Sequence, residues 1–216
     1  MTERSLREYC DEARRLIDQG AHAGAIDIAR HVLRFYPKHI ESYALLGQAS
    51  LERGNIREAI ELFQRTLSAD PENLKAWLGL ASAYEQDNLQ DLTIWHLERA
   101  FELDPANAGI RSVLQGLYAQ RQGIKELRVK SNGAALGRLY LKGGLYHQAI
   151  SELRSILDSD PQRAYIKVAL AIAHWHVGQK AEAAEICMDI LERLPNCLQA
   201  NLILGEIWMD LSLIHI

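Results

Sequence analysis

The chain has 216 residues, eight of them histidine and three cysteine, the side chains most able to hold a metal or attack a substrate. The densest cluster is His174-Trp175-His176. On a helix, residues two apart point to different faces, so this pair does not converge on one ion. A metal site needs several ligands at fixed distances, and no spacing here supplies them. Cys10, Cys187 and Cys197 are far apart and form no CxxC pair, so neither a disulfide framework nor a structural zinc site is expected. Cys10 and Cys197 also lack a sequence neighbour of the kind that makes a thiolate reactive. Carboxylates such as Glu61 are spread around the chain with no paired acid and base. Gly143-Gly144 reads as a turn, because the rest of a phosphate loop is missing. No enzyme activity, cofactor or metal is expected.

The composition narrows the class. Net charge is −4, with 24% charged and 48% apolar residues, as in a folded domain. There is no basic stripe, so a nucleic-acid partner is not expected. No run of eighteen apolar residues occurs, so no membrane insertion is expected. The mixed-charge N-terminus lacks the apolar core of a secretion signal. The expected location is the cytoplasm.

What positions the side chains is a repeat. All five prolines, Pro37, Pro71, Pro105, Pro161 and Pro195, lie 34 residues apart, save for 56 between Pro105 and Pro161. Proline stops a helix, so each marks the same stop in a repeated unit. Gly20, Gly54, Asn88, Gly144 and Gly178 each fall 17 residues before a proline, where a helix C-terminus favours Gly or Asn. Each unit is therefore a pair of helices, and units of this size stack into arrays.

The residues in phase with the prolines carry a known pattern. One unit reads Tyr43-x2-Leu46-Gly47, Ala59-x3-Phe63, Pro71; the next reads Trp77-x2-Leu80-Ala81-x2-Tyr84, Thr93-x3-Leu97, Pro105. This resembles the tetratricopeptide repeat, in a bacterial-type member truncated at its C-terminus. The resemblance implies an all-α, right-handed superhelix, a solenoid of antiparallel helix pairs. Three units span 6–107 (6–39, 40–73 and 74–107). Residues 108–129 form an incomplete unit plus connector, and two units span 130–197 (130–163 and 164–197). The first helix of a truncated unit covers 198–210. The last six residues, 211–216, match the in-frame translation of a sequencing adapter. Small residues should let paired helices cross closely: Gly47 with Ala59, Gly137 with Ala149, Ala171 with Ala183. Thr93 departs from this and should fit less well. Cys187 holds the phase of Phe63, and His174 that of Tyr84, which predicts packed positions for both.

In proteins with this repeat, the first helix of each unit lines a groove that holds a peptide. The resemblance implies a protein–protein interaction scaffold without catalysis, taking a protein or peptide ligand. The alternative is the regulatory or recognition arm of a longer enzyme or transcription regulator. The groove candidates are Arg7, Arg14, Gln48, Lys75, Glu85, Arg138, Tyr165, Ile172 and Trp175, with the aromatic Tyr165 and Trp175 as anchors. Cys10, Arg14 and Leu45 stand where one subclass clamps a terminal carboxylate with paired Lys and Asn, so that ligand is not expected. Self-association through the open C-terminal end would bury Leu204 and Trp208.

Overall fold

In a computed structural model, residues 5–122 and 133–213 are described. They form an all-α chain with no strand among the described residues. The helix pairs are α1 (Leu6–Asp18) with α2 (His22–Phe35), α3 (Ile40–Glu52) with α4 (Ile56–Ala69), and α5 (Leu74–Gln86) with α6 (Gln90–Leu103). Next comes α7 (Ala108–Gln122), then α8 (Gly133–Lys142) with α9 (Tyr146–Ser159), α10 (Ala164–His176) with α11 (Lys180–Arg193), and α12 (Leu198–Leu213). The connector expected at 123–129 lies outside the described residues. Of 211–216, residues 211–213 belong to the backbone of α12, and 214–216 lie outside the described residues.

The turns follow from local chemistry. Gly20, Gly54, Gly144, Gly178 and Asn88 all adopt positive φ, the left-handed conformation that ends a helix. Asn88, with φ 57°, shows why asparagine can replace glycine there, since its short polar side chain tolerates that region. Starts are capped as well. Ser5 Oγ accepts from the Glu8 N–H while Glu8 returns a bond to the Ser5 N–H, a capping box. Asn73 Oδ1 accepts from the Ala76 N–H at 3.1 Å, and Asn107 Oδ1 accepts from Gly109 and Ile110.

The chain divides into two compact units. The first comprises Met1–Leu67 and Asn73–Leu97, the second Ser68–Glu72 and Glu98–Ile216. In the first, Cys10, Ala13, Ile17, Ala25, Ile26, Ala29, Leu45, Leu46 and Ala49 form one buried cluster. Leu51, Ala59, Phe63, Ala76, Leu80 and Ala83 form another. In the second, Val168, Ala171, Ala183, Cys187, Ile190, Cys197, Ala200, Ile203, Leu204 and Ile207 pack together.

The A-x3-F phase is buried in every pair: Ala25 and Ala29, Ala59 and Phe63, Thr93 and Leu97, Ala149 and Leu153, Ala183 and Cys187. Thr93 keeps its place because its hydroxyl donates to the Leu89 carbonyl at 3.2 Å, which satisfies the polar group that burial would otherwise penalise. Small residues at the crossings are needed for fit. A Cβ at Gly47 would come within 2.9 Å of the Phe63 ring, and one at Gly137 within 2.8 Å of Leu153.

Candidate functional site

In the first unit, α1, α3 and α5 present one face to a groove of about 570 Å3. Its floor is apolar, from Ala44, Leu45, Leu51 and Leu78, with Phe63 showing beside Gly79. The rest of its lining is polar: Glu41 and Lys75 near the starts of α3 and α5, Asp18, Glu52 and Gln86 at the ends of α1, α3 and α5, and Arg14, Gln48 and Ser82 between them. The 34-residue pitch puts matching positions of successive first helices side by side, so each edge is built from one helix end repeated.

Three of the expected groove residues line this cavity: Arg14, Gln48 and Lys75. Arg14 is held at 2.6 Å from Asp11 and also donates to Glu41. The side-chain bond to Asp11 raises its pKa further above the ordinary guanidinium range, so it is permanently charged. Gln48 donates to Glu52 at 3.2 Å, and Glu52 also lies 3.2 Å from His22 Nδ1. Lys75 is exposed. Arg7 and Glu85 are exposed on α1 and α5 but do not line the cavity.

In the second unit the expected residues are placed differently. Tyr165 is 3% exposed, and its hydroxyl donates to the buried carboxylate of Glu102, which Arg163 also meets at 3.2 Å. Burial, reinforced by the Glu102 charge, pushes the Tyr165 phenol well above its ordinary range. Tyr165 as an exposed anchor is therefore corrected: it spends its hydroxyl on an internal ion pair. Arg138 is buried and paired with Glu72. Ile172 and Trp175 are half-buried and pack on the core that contains Cys187 and Ile203. Leu204, expected at a self-association surface, is buried in that same core, while Trp208 is 61% exposed.

The chemistry-bearing residues are internal too. His174 is buried, with Nδ1 at 2.6 Å from Gln179 Oε1 and Nε2 at 3.3 Å from Arg154. His176 is exposed and stacks on Tyr146 at 4.5 Å, so the two histidines do face apart. Cys10, Cys187 and Cys197 are free and buried. Cys10 has neighbours that its sequence context hid: ligand atoms of Cys10, His39 and Glu41 lie within 4.8 Å of one another. The Arg14 guanidinium already sits on Glu41, and a cation there would have to displace it. Desolvation, then the Glu41 charge, pushes the Cys10 thiol up. The trio thus fits a hydrogen-bonded brace between α1 and α3 better than a reactive centre.

Two models of one family match the chain. One, for the tetratricopeptide repeat, covers residues 44–108 and 134–196, and the second, for the same repeat, covers 16–67. The chain belongs to the tetratricopeptide repeat family. As a member it is a helical-repeat scaffold for protein–protein interaction. It is 37% identical over 67 residues to small glutamine-rich tetratricopeptide repeat-containing protein 2 of Mycosarcoma maydis, covering 31% of this chain and 19% of that protein. It is 32% identical over 85 residues to cellulose synthase operon protein C of Komagataeibacter xylinus, covering 39% of this chain and 6% of that one. The chain thus spans a small part of both relatives. Among solved structures it is similar to TTC0263, a thermophilic TPR protein of Thermus thermophilus. That match has 18% identity, 95% of this chain, 100% of the other and a TM-score of 0.48. YrrB, a TPR protein with an unusual peptide-binding site, matches at 16% identity over 91% of this chain and 90% of its own, TM-score 0.46. No helix among the described residues is long and apolar enough to cross a membrane.

A pH prediction follows from the TPR core. Burial raises the Cys187 thiol from 9.0 to about 12. The folded chain therefore holds this proton more tightly than the unfolded chain. The resulting stabilisation is complete below about pH 9 and is lost as pH rises toward 12. Over that window the unfolding free energy should fall as pH rises, through loss of the Cys187 proton. Denaturant titrations at stepped pH should show a shallower fall for Cys187→Ala than for the wild type. Equal slopes would contradict the assignment.

Proposed function

We propose that this chain binds an extended or helical peptide segment of a protein partner in the groove of α1, α3 and α5, without catalysis. The observation that carries the reading is the groove itself: an apolar floor of Ala44, Leu45, Leu51 and Leu78, open to solvent and edged by Arg14, Gln48 and Lys75. A shaped apolar cleft with a few polar groups is what ligand sites look like. Tyr165 and Arg138 support their own unit and take no part. The reading places the protein in the cytoplasm, which its three free, buried thiols support.

The test is a selection from a displayed random-peptide library on the immobilised chain. Selected peptides should lose at least tenfold in affinity, about 1.4 kcal/mol, against Ser82→Trp, which fills the groove from an exposed position. Undiminished binding by a folded Ser82→Trp variant would refute the groove as the site.

A second reading is the recognition arm of a longer enzyme or transcription regulator. It is favoured by the small share of its curated relatives, 19% and 6%, that this chain covers. Sequencing the source gene beyond the codon for Ile216 distinguishes the two. A third reading is self-association through α12, supported by the exposed Leu198, Leu202, Trp208 and Met209. A monomer at high concentration in light scattering would exclude it.

A further inference from the structure

The charge on the groove edges is uneven, and this points to the chemistry of the partner. The last residues of α1, α3 and α5 are Asp18, Glu52 and Gln86, and all three line the cavity. Glu85, one residue earlier on α5, is exposed. This edge therefore joins two carboxylates, Asp18 and Glu52, to three helix C-termini, where the backbone dipoles already carry partial negative charge. Acids at a helix C-terminus weaken the helix, and natural helices favour Lys or Arg there. Neither α3 nor α5 has a basic residue in its last turn, though Arg53 stands as the C-cap of α3. The last-turn base of α1, Arg15, is spent on Glu12 and Gln19. Glu52 accepts from Gln48 and lies 3.2 Å from His22 Nδ1, and no ion pair of Asp18 is found among the described residues. Local breaches of helix preference that recur at the same end of successive first helices need a compensating gain, and sites of function are where such breaches are kept.

The two bases that line the cavity do not cancel this field. Arg14 is neutralised by Asp11 and Glu41 together. Lys75 remains as a single exposed cation at the start of α5. Acids outnumber bases in the cavity lining, three (Asp18, Glu41, Glu52) to two (Arg14, Lys75).

We infer that the groove of the first unit takes a basic peptide, with one or two apolar side chains on the floor and Lys or Arg facing Asp18 and Glu52. The inference rests on reading the groove as a peptide site and names the chemistry of its occupant. Complementary charge of this kind steers encounter and sets partner choice more than it adds affinity. It also separates this groove from one built to grip an acidic tail.

The experiment uses three fluorescein-labelled peptides on the full chain. Each has two central leucines, flanked on both sides by two lysines, two glutamates or two serines. Fluorescence anisotropy should show the lysine peptide binding tightest, by about tenfold over the serine peptide at low salt, with the advantage shrinking as salt rises. The double variant Asp18→Asn with Glu52→Gln should lose that advantage, so that the lysine and serine peptides bind it alike. These changes remove acids from helix C-termini, so they should raise rather than lower the melting temperature, and folding is not in question. Glutamate or serine peptides binding as tightly as lysine, or a lysine advantage untouched by the double variant, would overturn the inference while leaving a peptide groove. Binding of none of the three, together with failure of the library selection, would overturn both.

Discussion

Replacing Phe63 with alanine is expected to lower the unfolding free energy by about 3–5 kcal/mol. Phe63 is buried at 2% exposure and sits against two glycines on two different helices. A Cβ at Gly47 would come within 2.9 Å of its ring, and one at Gly79 closer still. The ring therefore ties α4 to its own partner helix α3 and to the first helix of the next pair. Removing it leaves a cavity that helices locked in an array cannot easily collapse. The reverse change is informative. Gly79→Ala should raise helix propensity by about 1 kcal/mol, yet a net loss of about 1–3 kcal/mol is expected, because the added methyl overpacks the ring. In the Phe63→Ala background the same substitution should become neutral or stabilising. A double-mutant cycle by urea denaturation reads this directly, and additive effects would show that the ring and the glycine are not in contact.

Replacing Glu102 with alanine is the second large effect, expected at about 3 kcal/mol. Glu102 is 2% exposed and accepts from Tyr165 and Arg163 in the second unit. Its loss removes the acceptor of a buried phenol and one of the two carboxylates on the Arg163 guanidinium, which Asp160 still meets at 2.8 Å, and a buried donor that loses its acceptor costs about 1–3 kcal/mol. Glu102→Gln should cost about half as much, since a neutral amide oxygen still accepts from Tyr165. Tyr165→Phe should cost about 1 kcal/mol. Thermal melts of the three variants should fall in that order. A Glu102→Ala protein as stable as the wild type would mean the ion pair does not hold the fold.

The proline ruler and its phased glycines made the helix pairs legible, because both act on backbone geometry at one position each. Their φ values and the buried Ala-x3-Phe phase follow from that periodicity. Gly79 was not signalled by the repeat. Its cue was a glycine amid good helix formers, a costly choice that marks a close approach. The role of Tyr165 was hidden for another reason. Phase alone put it on the groove face, but its partner Glu102 lies 63 residues earlier in sequence, beyond the slip in the repeat. Pairings at that distance leave no periodic trace. The trio of Cys10, His39 and Glu41 was hidden in the same way, since its members meet only when α1 packs on α3. Arg14 and Gln48 were reachable because they share one phase of the repeat, and Lys75 because it shares another with Glu41, while the charge asymmetry of the groove required knowing which helix ends adjoin.

The central claim is that the apolar groove of α1, α3 and α5 is where a partner peptide lies. The most direct test is an amide-resonance titration of the 15N-labelled chain with a peptide selected from the displayed library. Saturable shifts concentrated at Gln48, Leu51, Leu78 and Ser82, and absent in Ser82→Trp, are the expected result. Shifts that map instead to α12, around Leu202 and Trp208, or no peptide that binds saturably, would contradict the account.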